Sequence, residues 1–224
     1  MMLNFDTEFF ISLFPIILKY VKVTLKLSIV SLICALLLAT IIALVIYFKV
    51  KILSPFLKIW VSIFRGTPLV TQLFFIYFGL AQVIPFLKNM NGLTAAILGL
   101  SLNASAHMSE TLRGAISSVD KGQIEACLSI GMTNLRAMTR VVLPQAMRVA
   151  IPALSNSFVD IIKGSAMAFT IGVTELMGAA QMEGASNYKF FETFTAVMLA
   201  YWIITSIFGQ LQKILEKKLN SSYS

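Results

Sequence analysis

From Leu27 to Phe48 the chain carries no charged residue, and this stretch, LSIVSLICALLLATIIALVIYF, constrains everything the rest can fold into. A helix of about 20 apolar residues crosses the hydrocarbon layer, where its backbone polar groups must be satisfied internally because no water is present. The run is long enough, extends upstream to about Val23, and is stopped by Lys49 and Lys51. Composition carries the point to the whole chain: 58% of its residues are hydrophobic and 12% charged, against roughly 45–50% and about 25% in soluble domains. These proportions predict an all-α integral membrane protein, one domain over residues 1–224.

Four further spans are expected, at about Pro68 to Pro85, Leu93 to Ala115, Val149 to Val173 and Phe191 to Leu211, giving five transmembrane helices. The segment ILSPFLKIWVSIFRG, with Pro55, Lys58 and Arg65 among apolar residues, reads as an interfacial piece leading into the second span. Residues Ser117 to Arg148 are too charged to span and form a long polar loop. The net charge of +8 would suggest nucleic acid in a soluble protein, but the cations flank apolar segments instead of lining a stripe with exposed aromatics. With the N-terminus outside, most of the eighteen cations, from Lys49 and Lys51 through Arg113, Lys121 and Arg140 to Lys217 and Lys218, fall inside. N-out, C-in is therefore the expected topology, with Lys19, Lys22 and Lys26 running against the trend. The first residues carry Asp6 and Glu8 and lack a basic region or small-residue cleavage site, so no removable signal peptide is expected.

Enzyme motifs are missing. No G-x-x-x-x-G-K-[ST], G-x-S-x-G, HExxH or CxxC occurs, so a phosphate-loop ATPase is excluded for this chain. With His107 the only histidine, and with Cys34 and Cys127 far apart in different kinds of segment, neither a metal site nor a disulfide is expected.

Two sets of residues could carry function. In the polar loop, Ile124, Leu128 and Met132 recur at i, i+4 and i+8, one face of a short helix suited to a partner's groove or to lying on the membrane surface. Gly131 could end that helix, and Pro144 marks the next break. Inside the spans, charged and amide groups are costly and usually face a cavity. Asn103 with His107, and Asn156 with Asp160, are spaced i, i+4, while Asp160 and Lys163 are spaced i, i+3. Asn103, Asn156 and Asp160 could line a polar passage, with Asp160 meeting a substrate ammonium. Alternatively, Asp160 and Lys163 neutralise each other at a subunit interface. His107 is a packed interior residue or a proton relay, and Glu175 a gate, a cap or a loop charge.

Glu125-Ala126-Cys127, three residues, Gly131, nine residues, then Val141-Val142-Leu143-Pro144 resembles the EAA loop of bacterial ABC importer permeases, with Cys127 for the second alanine and Val141 for an isoleucine. Phe64-Arg65-Gly66-Thr67-Pro68-Leu69 and Ser109-Glu110-Thr111-Leu112-Arg113-Gly114-Ala115-Ile116 resemble segments of the polar-amino-acid uptake permeases, the histidine/glutamine permease family. The run Ser118 to Gln123, with Ser129 to Thr133, is most like the L-cystine branch. One departure is Lys163-Gly164-Ser165-Ala166-Met167, where relatives commonly carry K-D-T-S-L.

The resemblance implies a type I ABC importer permease fold in a bacterial cytoplasmic membrane, with residues 117–148 as the coupling loop. It implies two ATPase subunits holding ATP and magnesium, a second permease copy, an extracytoplasmic solute-binding protein and an amino acid substrate, most plainly cystine, with glutamine, arginine and glutamate open. The chain itself would hold no cofactor and bind no nucleic acid. An ion-coupled carrier using Asp160 and His107, or a membrane scaffold, are the readings of other classes.

Overall fold

The computed structural model describes residues 5–221; residues 1–4 and 222–224 of the expected domain lie outside the described residues, as do the side chains of Lys218 and of residues 219–221. Among the described residues every regular element is helical.

Helix α1, Thr7–Tyr47, is a single element of 41 residues. It starts well before the expected Val23, because Lys19, Lys22 and Lys26 recur on one exposed face while Leu13, Ile17, Thr24 and Leu27 are buried on the other. Helical periodicity keeps the charges off the packed side, so they do not end the helix. At 1.5 Å per residue α1 is about 60 Å long, roughly twice the hydrocarbon thickness. Asp6 caps it by accepting from the Phe9 N–H at 2.9 Å and pairs with Lys189, whose ammonium holds the Asp6 carboxyl below its usual range. At the other end Lys49 takes the left-handed position of a C-cap, φ 52°, with the Lys49 N–H on the Ile46 carbonyl and the Val50 N–H on the Val45 carbonyl, both at 3.2 Å. Glycine is the usual occupant of that position, and a side chain there costs about 1 kcal/mol.

Helix α2 (Leu53–Gly66) is followed after Pro68 by α3 (Leu69–Phe74), a π-turn over Phe75–Gly79 and α4 (Leu80–Val83). The two limbs meet at 113°. Helix α5 (Gly92–Ser117), capped by Asn91, packs along α1 and then α8. At Gly99 it approaches α3 so closely that a Cβ would lie 2.5 Å from Leu73 Cδ2. The loop region holds α6 (Lys121–Ser129) and α7 (Asn134–Ala137), then a π-turn over Met138–Val142 that runs straight into α8 (Leu143–Gly164). The break expected at Pro144 is therefore a widened turn inside one helical run. Proline lacks an N–H and crowds the carbonyl four residues back, and the π-turn absorbs both. The fourth hydrophobic segment accordingly begins inside a helix that is already formed.

After α8 a 3₁₀ stretch, Ser165–Ile171, ends at Gly172 in the left-handed region, φ 83°. Helix α9 (Leu176–Asn187) follows at a bend of 51°, and α10 (Phe190–Ser221) ends the described chain. Helix α9 was not expected. Its buried Gly178, Ala179, Ala180 and Gly184 show no amphipathic pattern, and it is held by close contact with α1 and α10. By length and composition α1 and α10 can each cross a membrane, and counting each bent pair as one span raises the total to four.

Candidate functional site

Two places gather the polar chemistry. The first is a cavity of about 210 Å³ between α5 and α8, lined by Asn103, His107, Ser157 and Asp160 with Leu69 and Gly164 among its apolar walls. The sequence places His107 and Asp160 on different helices, and the fold brings them to one space. Lys163 stands outside the lining but pairs with Asp160 at 2.9 Å, so both alternatives for that pair touch the same site. Asn156 does not reach the cavity: its Oδ1 accepts from Gln212 Nε2 at 3.2 Å, on the side facing α10. The i, i+4 spacing to Asp160 leaves a 40° offset around the helix, and α10 takes the group on that side. A larger groove of about 500 Å³, between α1, α8 and α10, is almost wholly apolar and offers a polar solute little to hold.

Asn103 is fixed by a residue the sequence reading passed over. Gln72 is buried in the apolar α3, and its Oε1 accepts from Asn103 Nδ2 at 3.0 Å. Its Nε2 donates to the Phe64 carbonyl at 2.9 Å and to the Thr67 hydroxyl at 2.8 Å. Carbonyls at the end of α2 lack helical partners, and Pro68 has no N–H to offer. Gln72 supplies the missing donors, so the sharp α2–α3 corner is tied to the cavity wall. The only sequence signal was one glutamine in a mostly apolar run, one helical turn after Pro68.

Glu175 is the second buried polar centre, and it is completely covered. It caps α9 by accepting from the Gly178 N–H at 2.9 Å, and takes Tyr201 Oη at 2.6 Å and Thr24 Oγ1 at 3.2 Å. Thr24 Oγ1 in turn accepts from the Leu176 N–H at 3.1 Å. Of the three readings the sequence left open, the cap describes its geometry, and the carboxylate also joins α1, α9 and α10.

The second candidate place is the hairpin. Helix α6 is capped by Asp120, which accepts from the Gly122 N–H at 2.6 Å. It ends in a paired C-cap: the Gly131 N–H bonds the Leu128 carbonyl and the Met132 N–H the Cys127 carbonyl, each at 3.0 Å. Gly131 sits at φ 81°, as such a cap requires, with no atom within 4 Å of where a Cβ would be. The packed face differs from the expected one. Ile124 packs against the cluster of Ala115, Ile116 and Val142, and Cys127 is buried, whereas Leu128 is 43% exposed. Ile130 and Leu135, 79% and 70% exposed, extend the outer apolar surface beside the exposed Glu125 and Ala126. The i, i+4, i+8 face does not form, because Leu128 already turns outward within α6 and the helix stops at Ser129, before Met132. Leu143 is half-buried and Pro144 exposed, on the turn that returns to the bundle.

Among the described residues no group of histidine, cysteine or acidic side chains could hold a metal, and both cysteines are free.

A family model described as "Binding-protein-dependent transport system inner membrane component" matches residues 31–221. The chain is 45% identical to a probable amino-acid ABC transporter permease protein of Vibrio harveyi, over 99% of each chain. It is 44% identical to a probable amino-acid permease protein of Bacillus subtilis (strain 168), over 97% of each. An L-cystine transport system permease protein of the same strain is 39% identical, with 93% of this chain and 88% of that one covered. A crystal structure of an amino acid ABC transporter with histidines superposes with a TM-score of 0.89 at 32% identity, covering 96% of this chain and 100% of that one.

Proposed function

Because the chain belongs to the family of binding-protein-dependent transport system inner membrane components, as an amino-acid ABC importer permease, we propose that its hairpin docks an ATPase and its α5–α8 cavity passes a polar amino acid. The observation that carries this reading is the exposed apolar surface of Leu128, Ile130 and Leu135 on a hairpin otherwise rich in charge. Burying each such side chain in a partner contributes about 1.5–3 kcal/mol, enough for three of them to anchor a moving subunit. Closure of two ATPase subunits on ATP and magnesium then draws the hairpins of two permease copies together and moves the helices between inward- and outward-open states.

The chain crosses five times in this reading, N-out and C-in, as a type I importer in a bacterial inner membrane. Helix α5 supplies the fifth crossing: it is 26 residues long, and its Ser101, Ser105 and Ser109 are buried within the bundle in place of lipid. The second permease copy is supported by the Asp160–Lys163 pair, whose side chains are 73% and 59% exposed on the single chain. Charges at that depth need water or protein beside them. A solute-binding protein delivers the substrate from outside.

L-cystine heads the substrates, on the loop segments that resemble that branch and the 39% identity to a cystine permease; glutamine, arginine and glutamate follow. The test is ATPase activity of the reconstituted complex, with its binding protein, against a panel of amino acids. Stimulation by none of them would refute the assignment. Within the panel, Asp160→Asn should raise the half-saturating concentration of the preferred amino acid roughly ten- to hundredfold, the scale of one charged hydrogen bond. Basal ATPase activity should stay unchanged, and an unaltered concentration dependence would remove Asp160 from the pathway.

A further inference from the structure

At the end of the bundle that carries the hairpin lies a cavity of about 700 Å³, lined by Lys49, Lys58, Glu110, Arg113, Ser117 and Lys121. Ile46 and Tyr47 complete the lining, so four of its eight side chains are cationic, and these come from the end of α1, from α2, from α5 and from the first residue of α6. The single acid is already engaged. Arg113 binds both Glu110 oxygens, Nη2 to Oε2 at 2.7 Å and Nε to Oε1 at 3.2 Å, and Arg65 approaches within 3.9 Å. Among the described residues, Lys49, Lys58 and Lys121 close no ion pair. Like charges around one cavity repel each other and call for an anion between them. Lys49 adds a separate argument. It occupies the left-handed cap position where glycine is unstrained, so the chain keeps a strained backbone and with it an ammonium on the cavity wall. A non-glycine residue held in such a conformation points to a role for its side chain. The same turn and the first turn of α2 leave Phe48, Ile52 and Phe56 exposed, at 56%, 84% and 64%. A charged hollow beside bare apolar side chains matches a molecule with an anionic head and hydrocarbon tails.

We propose that this cavity binds the phosphate group of an anionic phospholipid, seated between α1, α2, α5 and the root of the hairpin. Basic pockets between membrane helices take such headgroups, and the lysines supply the charge without a fixed fork geometry. The lipid links the root of the hairpin to the membrane face, and this holds whichever amino acid is carried.

The experiment uses the full-length permease purified from membranes and transferred to bilayers of phosphatidylcholine, with and without phosphatidylglycerol. Lipid retention is read by native mass spectrometry. Wild type should retain phosphatidylglycerol over phosphatidylcholine. Lys49→Gly should lower that retention on the order of fivefold, the scale of one lysine at a membrane surface, with no loss of thermal stability because glycine suits the backbone. The triple variant K49G/K58Q/K121Q should lose the preference. Displacement by excess inorganic phosphate would mark the phosphate alone as the recognised group; resistance to it would mark the intact lipid as the source. Equal retention of both lipids by wild type, or unchanged retention by the triple variant, would overturn the proposal. So would loss of ATPase association by Lys49→Gly with lipid retention intact, since the cavity would then be a protein contact.

Discussion

Replacing Glu175 with alanine should destabilise the permease more than any other single truncation of a polar side chain described above. The substitution leaves the O–H donors of Tyr201 and Thr24 and the Gly178 N–H without their acceptor, around a carboxylate that is completely buried. A buried group left without a partner costs about 1–3 kcal/mol, so losing three together, with the cap of α9, should cost roughly 3–5 kcal/mol. Glutamine at the same position keeps one acceptor, and both hydroxyls can turn to accept from its amide. Glu175→Gln should therefore fall well short of the alanine loss, and Tyr201→Phe should cost about 1 kcal/mol. The unfolding temperature of the detergent-purified permease measures all three. A Glu175→Ala protein that melts with wild type would mean the three helices are held by something else.

The second large effect belongs to the hairpin. Changing Ile130 and Leu135 together to aspartate removes two apolar contacts and buries two charges in any partner that docks there. The lost burial alone amounts to about 3–6 kcal/mol, or roughly a hundredfold or more in affinity. ATPase subunits should fail to co-purify and uptake should drop to background. Insertion and folding should be unaffected, because both side chains already face outward. Gly131→Ala makes a finer comparison: a Cβ there meets nothing, so its cost is the left-handed backbone alone, about 1–2 kcal/mol. It should leave ATPase bound while weakening its link to uptake. Full uptake by the double aspartate variant would remove the docking role from this surface.

What could be read from the sequence was whatever depends on residues near one another in the chain. The uncharged run after Lys26, the glycine that ends α6 and the polar hairpin were all visible in that way. The start of α1 was legible as well, had Lys19, Lys22 and Lys26 been read as one exposed helical face and not only as charges against the topological trend. Helix α9 was not, because small residues give it no periodic signal and its stability comes from α1 and α10. The partners of Glu175 are 151 and 26 residues away, and the role of Gln72 depends on carbonyls that only become free when the chain turns at Pro68. In the cavity, the identities of His107 and Asp160 were evident, but which face of α8 looks inward is set by α10, and that sent Asn156 elsewhere.

The length of α1 has a mechanical consequence. It packs against α5 and α8 at Ala35 and Ala39, where small side chains lie beside Ala104 and Ile161. That crossing divides the helix unequally, about 30 residues toward Asp6 and about 10 toward Tyr47. If α1 tilts there as a rigid rod, the crossing acts as a fulcrum with arms of about 45 and 15 Å. A displacement of Tyr47, beside the hairpin's root, then reappears roughly threefold larger and in the opposite sense at the Asp6–Lys189 end.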